Sequence, residues 1–271
     1  MRSAGLLVLL LCSCVAVAGQ VLQLQGAARQ GGVIFGQTTP GAKVVHDGEK
    51  VPVSKDGHFV IGFTREAPAE SRLEIQYPDG SRRIEKLSVA QREYDIQRID
   101  GLPPRKVTPK PEDVKRIKAD RLAVKKARAL VDQRTDYANG FEWPVQGRIS
   151  GVYGSQRILN GKPKWPHYGV DIAGPVGKPV KAPADGIVTL AHPDMFYSGA
   201  TLIMDHGQGL SSTFLHLSKI LVAPGQQVKK GRVVAEMGAS GRATGPHLDW
   251  RMNLRGKRVD PQTLVPSMPK N

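Results

Sequence analysis

Five apolar runs decide the fold of the C-terminal half: GIVTLA (186–191), ATLIMD (200–205), LSSTFLH (210–216), VVAEM (233–237) and LDWRM (248–252). Each has the length of a strand rather than a helix. Prolines and glycines such as Pro175, Gly177, Pro183, Gly186, Gly207 and Gly225 separate them, and no 3.6-residue period competes. Residues 141–262 therefore read as an all-β domain made of packed sheets.

The same punctuation returns nearer the N-terminus. Pro40-Gly41, Asp47-Gly48, Asp56-Gly57 and Asp79-Gly80 cut residues 31–100 into short runs, the spacing of antiparallel strands joined by tight turns. Strands are predicted at Val33–Phe35, Lys43–His46, His58–Phe63, Leu73–Tyr77 and Arg82–Val89, giving a small β-sandwich-like accessory domain that serves for binding or spacing. Residues 105–135 differ in kind. Between Arg105 and Arg134 stand eleven basic residues against Glu112, Asp113, Asp120 and Asp132. After Pro111, residues Val114, Ile117, Val124 and Val131 recur at helical spacing, so a basic linker with one amphipathic helix is expected, packed on the next domain or adhering to an anionic surface. The fold class is mainly β.

The chain has 271 residues, room for about two domains at ~100–200 residues each. With 40% hydrophobic and 23% charged residues, it is neither disordered nor collagen-like. Residues 1–19 place Arg2 before an apolar stretch and finish in Ala16-Val17-Ala18, which predicts a cleaved signal peptide; lipoprotein processing at Cys14 is the alternative. Both cysteines, Cys12 and Cys14, fall in that segment, so neither a disulfide framework nor a Cys-ligated metal is expected in the mature domains. The formal charge of +15 calls for an anionic partner. Export points to the periplasm or cell envelope, with anionic lipid and wall polymer, and away from nucleic acid.

Chemistry concentrates in 141–262. His167 and Asp171 stand four apart, and His247 and Asp249 stand two apart, a spacing that puts both on one face of a strand. His216 ends an apolar run. Three histidines and two acids without cysteine make a mixed nitrogen and oxygen set suited to a catalytic zinc with an open position. His192 and His206 adjoin Pro193 and Gly207 and are expected in loops. Arg157 and Lys164, just before His167, are candidates to meet substrate carboxylates.

With Trp165-Pro166-His167-Tyr168-Gly169-Val170-Asp171, Pro179-Val180-Lys181-Ala182-Pro183, Phe214-Leu215-His216-Leu217-Ser218 and Ser240-Gly241-Arg242-Ala243-Thr244-Gly245-Pro246-His247-Leu248, residues 141–261 resemble the lysostaphin-type, LytM-like zinc metalloendopeptidases that cut peptidoglycan. The resemblance implies a duplicated hybrid motif-like β fold and a zinc cofactor. It implies His167 and Asp171 as ligands, His247 beside the metal-bound water, and His216 as the remaining active-site histidine. One position departs: Asp249 stands where that family carries its third ligand, a histidine. A carboxylate there is a legitimate zinc ligand, but it adds negative charge and makes the metal less electrophilic. The implied function is zinc-dependent hydrolysis of peptidoglycan amide bonds. The alternative is a weak or inactive LytM-like module that binds wall or activates another wall enzyme. Two stretches, Val180–Gly186 and Val222–Gly231, also resemble biotinyl and lipoyl carrier hairpins, yet the carrier lysine between apolar neighbours is missing and only a fold analogy remains.

Overall fold

Seven short strands follow Gln20: β1 (Leu22–Gly26), β2 (Val33–Thr38), β3 (Lys43–His46), β4 (Glu49–Val51), β5 (His58–Gly62), β6 (Glu70–Gln76) and β7 (Arg82–Ser88). The computed structural model describes residues 20–268; residues 1–19, where a signal peptide is expected, lie outside the described residues with Cys12 and Cys14. Asp47 and Gly48 join β3 to β4 with φ of 48° and 79°. Positive φ at both turn residues matches the right-handed twist of the strands, and Asp-Gly reaches it with little strain. Two sheets result, β1-β2-β5 and β4-β3-β6-β7, closing on Phe59, Ile61, Val44, Leu73 and Ile75.

The linker does more than span. Strand β8 (Ile96–Ile99) precedes helices α1 (Pro104–Val107) and α2 (Asp113–Ala127). Helix α2 rests on the C-terminal sheet chiefly through polar contacts. Arg116 donates to Asp194 Oδ2 at 2.7 Å, and Asp120 accepts from the Phe196 amide at 2.7 Å. Of the expected apolar stripe only Ile117 is buried; Val114 is 41% exposed, and Val131 lies past the helix end. The composition identified the helix, but its seat is set by charge pairing rather than by that stripe.

The C-terminal half supplies β9 (Ile149–Gly151), β10 (Gln156–Leu159), β11 (Lys162–Pro163), β12 (Val170–Ala173), β13 (Pro179–Lys181), β14 (Gly186–Met195), β15 (Gly199–Asp205), β16 (Leu210–Ile220), β17 (Gln227–Val228), β18 (Val233–Met237), β19 (His247–Leu254) and β20 (Lys257–Val259). One sheet runs β17-β14-β15-β16-β19-β12-β9, with β18 on β16, β13 on β18 and β20 on β19. Leu202, Met204, Phe214, Leu248, Trp250 and Met252 project to its core side and are fully buried, each contributing about 1.5–3 kcal/mol by area. Strand β8 pairs in parallel with β10, and β11 completes that small sheet. His192 belongs to β14 rather than to a loop. His206 does lie in the turn after β15, but fully buried, its ring nitrogens 2.6 Å from the Asp185 carbonyl and 2.8 Å from Ser212 Oγ.

The N-terminal sheets sit directly on the C-terminal one. Val33 and Val60 share the main core cluster with Trp250 and Leu254, and Phe35 stacks on Tyr137 at 5.1 Å. Gln208 Nε2 donates to the His58 carbonyl at 2.9 Å, and Arg255 Nη2 to that of Val60 at 2.7 Å. Asp260 is the polar pin of the contact. Its amide donates to the Gly31 carbonyl at 2.7 Å, and its carboxylate, 1% exposed, accepts from Arg92 at 2.8 Å and from the Gln262 amide at 3.0 Å. Asp260→Ala is expected to destabilise the chain by about 3 kcal/mol, the loss typical of breaking a buried pair. Urea unfolding should show one transition at lower midpoint; two separated transitions would mean that the two halves do not share stability.

Candidate functional site

The site rests on the pairing of β12 with β19. Their antiparallel register sets Asp171 opposite Asp249, and Ala173 opposite His247. Alternation sends Leu248, Trp250 and Met252 into the core, so His247, Asp249 and Arg251 share the other face. His167 arrives from the loop before β12. Its amide donates to the Ser155 carbonyl at 2.8 Å, and its own carbonyl accepts from the Gly154 amide at 2.7 Å.

Three donors converge: ligand atoms of His167, Asp171 and Asp249 lie within 4.8 Å of one another, all buried. His167 Nε2 is 3.1 Å from Asp171 Oδ1, and His247 Nε2 is 3.9 Å from the same oxygen. Both His167 ring nitrogens and Asp171 Oδ1 are buried without a hydrogen-bond partner. Buried polar atoms are normally satisfied, so His167 Nε2 and Asp171 Oδ1, 3.1 Å apart, are what a cation would satisfy. The imidazole and two carboxylates suit a divalent metal.

Glycine makes room for the carboxylates. A Cβ on Gly169 would lie 2.5 Å from Asp249 Oδ1 and 2.6 Å from Arg251 Cγ, and one on Gly151 would lie 2.4 Å from Asp171 Oδ2. Each carboxylate also holds a guanidinium. Arg157 donates to Asp171 Oδ2, and Arg251 grips Asp249 with Nε on Oδ1 at 2.9 Å and Nη2 on Oδ2 at 2.6 Å. Burial alone would raise both carboxyls. His167 and Arg157 hold Asp171 below the ordinary carboxylate range, and Arg251 with His167 does the same for Asp249.

His216 comes from β16 and breaks its alternation. Phe214, two residues earlier, is in the core, yet His216 faces the cleft because its backbone takes φ 62° at an irregularity of the β15/β16 ladder. Such left-handed strain in a non-glycine residue clusters at functional sites, and a bulge re-aims a side chain in this way. Its ring lies 4.8 Å from that of His247. His216 Nδ1 is 2.7 Å from the Ser240 carbonyl, and His247 Nδ1 is 2.8 Å from that of Gly245. A carbonyl only accepts, so Nδ1 donates in both rings. Burial pushes the His216 pKa down to about 4, so the ring is neutral near pH 7.

All five of these residues come together at one end of the sheet, and Arg157 joins them. Lys164 does not. It lines a separate groove with Arg65, Glu66, Trp165 and Tyr168. Not singled out in the sequence were Arg251, Arg242, Gln97, Ile99 and Leu102, which line the cleft or grip its carboxylate. Only Arg251 had a usable signal, since its two-residue step from Asp249 fixes its face.

The model of peptidase family M23 matches residues 165–261, a span holding all five residues. Peptidoglycan DD-endopeptidase ShyB of Vibrio cholerae is 45% identical over 97 residues, covering 35% of this chain and 22% of that protein. A lipoprotein NlpD/LppB homolog of Pseudomonas aeruginosa is 35% identical over 127 residues, covering 47% of this chain and 40% of its own. The chain thus spans well under half the length of these relatives. The crystal structure of a putative peptidase M23 from Pseudomonas aeruginosa is 33% identical, with a TM-score of 0.67 over 88% of this chain and 94% of that one. A match of that breadth takes in the N-terminal sheets as well as the site, and the chain belongs to peptidase family M23.

Proposed function

We propose that the chain is a zinc-dependent endopeptidase that hydrolyses amide bonds in peptidoglycan peptides. The observation that carries this reading is the convergence of His167, Asp171 and Asp249 within 4.8 Å beside His216 and His247, whose Nδ1 atoms are each held by a backbone carbonyl. His167, Asp171 and Asp249 would hold the metal. Bound there, zinc supplies a water of lowered pKa and polarises the scissile carbonyl.

The chain's own groups do the rest. One of His216 and His247 takes the proton of the attacking water at Nε2 and returns it to the leaving amine, while the other orients the water and hydrogen-bonds the developing oxyanion. Arg157 acts by fixing Asp171, through its bond to Oδ2. Arg242 and Arg148, on the cleft wall, favour peptides that carry carboxylates, as wall stem peptides do. Residues 31–100 are proposed as the accessory domain, 105–135 as the linker and 141–262 as the hydrolytic domain. With residues 1–19 as export signal, the protein would act in the envelope, where its positive charge draws it to anionic wall polymer.

One observation favours a second reading, a non-cutting wall module or an activator of another wall enzyme: Arg251 already occupies both oxygens of Asp249. Digestion of purified sacculi separates the two. Released peptide fragments, abolished by a chelator and restored by zinc, are expected; wall binding with no release would sustain the second reading. His216→Ala and His247→Ala should each lower the digestion rate by about 10²–10⁴-fold while elemental analysis still finds the metal bound. Loss of metal in either variant would make that histidine a ligand instead.

A further inference from the structure

Asp249 raises a charge problem that the sequence around it answers. Where the resemblance implies a neutral imidazole, this chain has a carboxylate, 1% exposed, directly across the ladder from a second buried carboxylate, Asp171. Like charges in such a pair repel, and burial leaves little water to screen them. Arg251 stands two residues along β19 on the same face. Its guanidinium meets the carboxylate as a two-pronged fork, Nε to Oδ1 at 2.9 Å and Nη2 to Oδ2 at 2.6 Å, the geometry in which Arg and carboxylate bind most strongly. The pair is built into the fold, since Gly169 lacks the side chain that would strike both Asp249 Oδ1 and Arg251 Cγ.

We infer that Asp249 and Arg251 work as one neutral ligand unit, with Arg251 the positioning residue that lets a carboxylate replace an imidazole at the metal centre. This rests on the metal reading given above. The unit has formal charge zero, as the imidazole would. Each carboxylate oxygen has two lone pairs, so the fork leaves one on each oxygen for a cation. Without the fork, the set would carry an extra buried negative charge and a carboxylate free to rotate. Such a set favours hard dications over zinc. Conversely, a histidine placed at 249 would leave the guanidinium without its anion, pointing at the cation's site.

The test is calorimetric titration of the metal-free full chain with Zn²⁺ and, separately, Mn²⁺. It compares wild type with Arg251→Met, Arg251→Lys, Asp249→His and the double variant Asp249→His/Arg251→Met. Arg251→Met should reduce the preference for zinc over manganese by about tenfold, while Arg251→Lys, which restores the charge, keeps most of it. Asp249→His alone should bind zinc about tenfold more weakly than the double variant, because the second substitution removes the stranded cation. Circular dichroism on each variant confirms folding. If wild type binds zinc while Arg251→Met shows the same metal preference and its effect is identical in both backgrounds, Arg251 is an ordinary salt-bridge partner and the inference falls. If folded wild type takes up no metal at all, the metal reading itself falls, and this inference with it.

Discussion

Two buried carboxylates, Asp171 and Asp249, face each other across neighbouring strands, and much of the surrounding structure answers that repulsion. Arg157 and Arg251 each neutralise one of them. Gly151 and Gly169 give up side chains so that the carboxylates fit. His167 lies against Asp171 Oδ1 with its ring nitrogens unsatisfied. Desolvated like charges held this close are a poor way to stabilise a β-sheet, and with His167 beside them they form a donor set compatible with a metal ion.

The strands around this pair were legible because alternation is strong where one face is core. LDWRM, read on its own, puts Leu248, Trp250 and Met252 on one side and leaves His247 and Asp249 together, and the fold has that arrangement. His216 was legible as a candidate but not in its orientation. Parity with Phe214 would send it into the core; a left-handed φ of 62° turns it out, and nothing local in TFLHL announces such a turn. The segment before the linker went unread for a different reason: Ile96–Ile99 pairs with Gln156–Leu159, some sixty residues on, and a four-residue strand of mixed polarity carries no pattern that reveals a partner so distant. Arg251 went unnoticed because an arginine after a ligand position looks like ordinary surface charge.

The segment just before the linker helps to line the cleft: Gln97, Ile99 and Leu102 face it together with residues 242–247, Asp171 and His216. Lys106 donates to the Phe196 carbonyl and Arg242 Nη1 to that of Lys106 at 3.3 Å, so helix α1 is tied to the segment carrying Arg242. The N-terminal sheets hold the opposite side through Asp260 and the shared core. A catalytic end assembled from three separate segments depends on all of these contacts for the spacing of its histidines.

Everything proposed for the site turns on a metal among His167, Asp171 and Asp249. Crystals of the protein grown with zinc, measured on both sides of the zinc absorption edge, test it most directly. An anomalous peak within bonding distance of His167, Asp171 and Asp249, with Arg251 still on Asp249, is the result expected. A well-ordered site without such a peak, its carboxylates held by Arg157 and Arg251 alone, would contradict it.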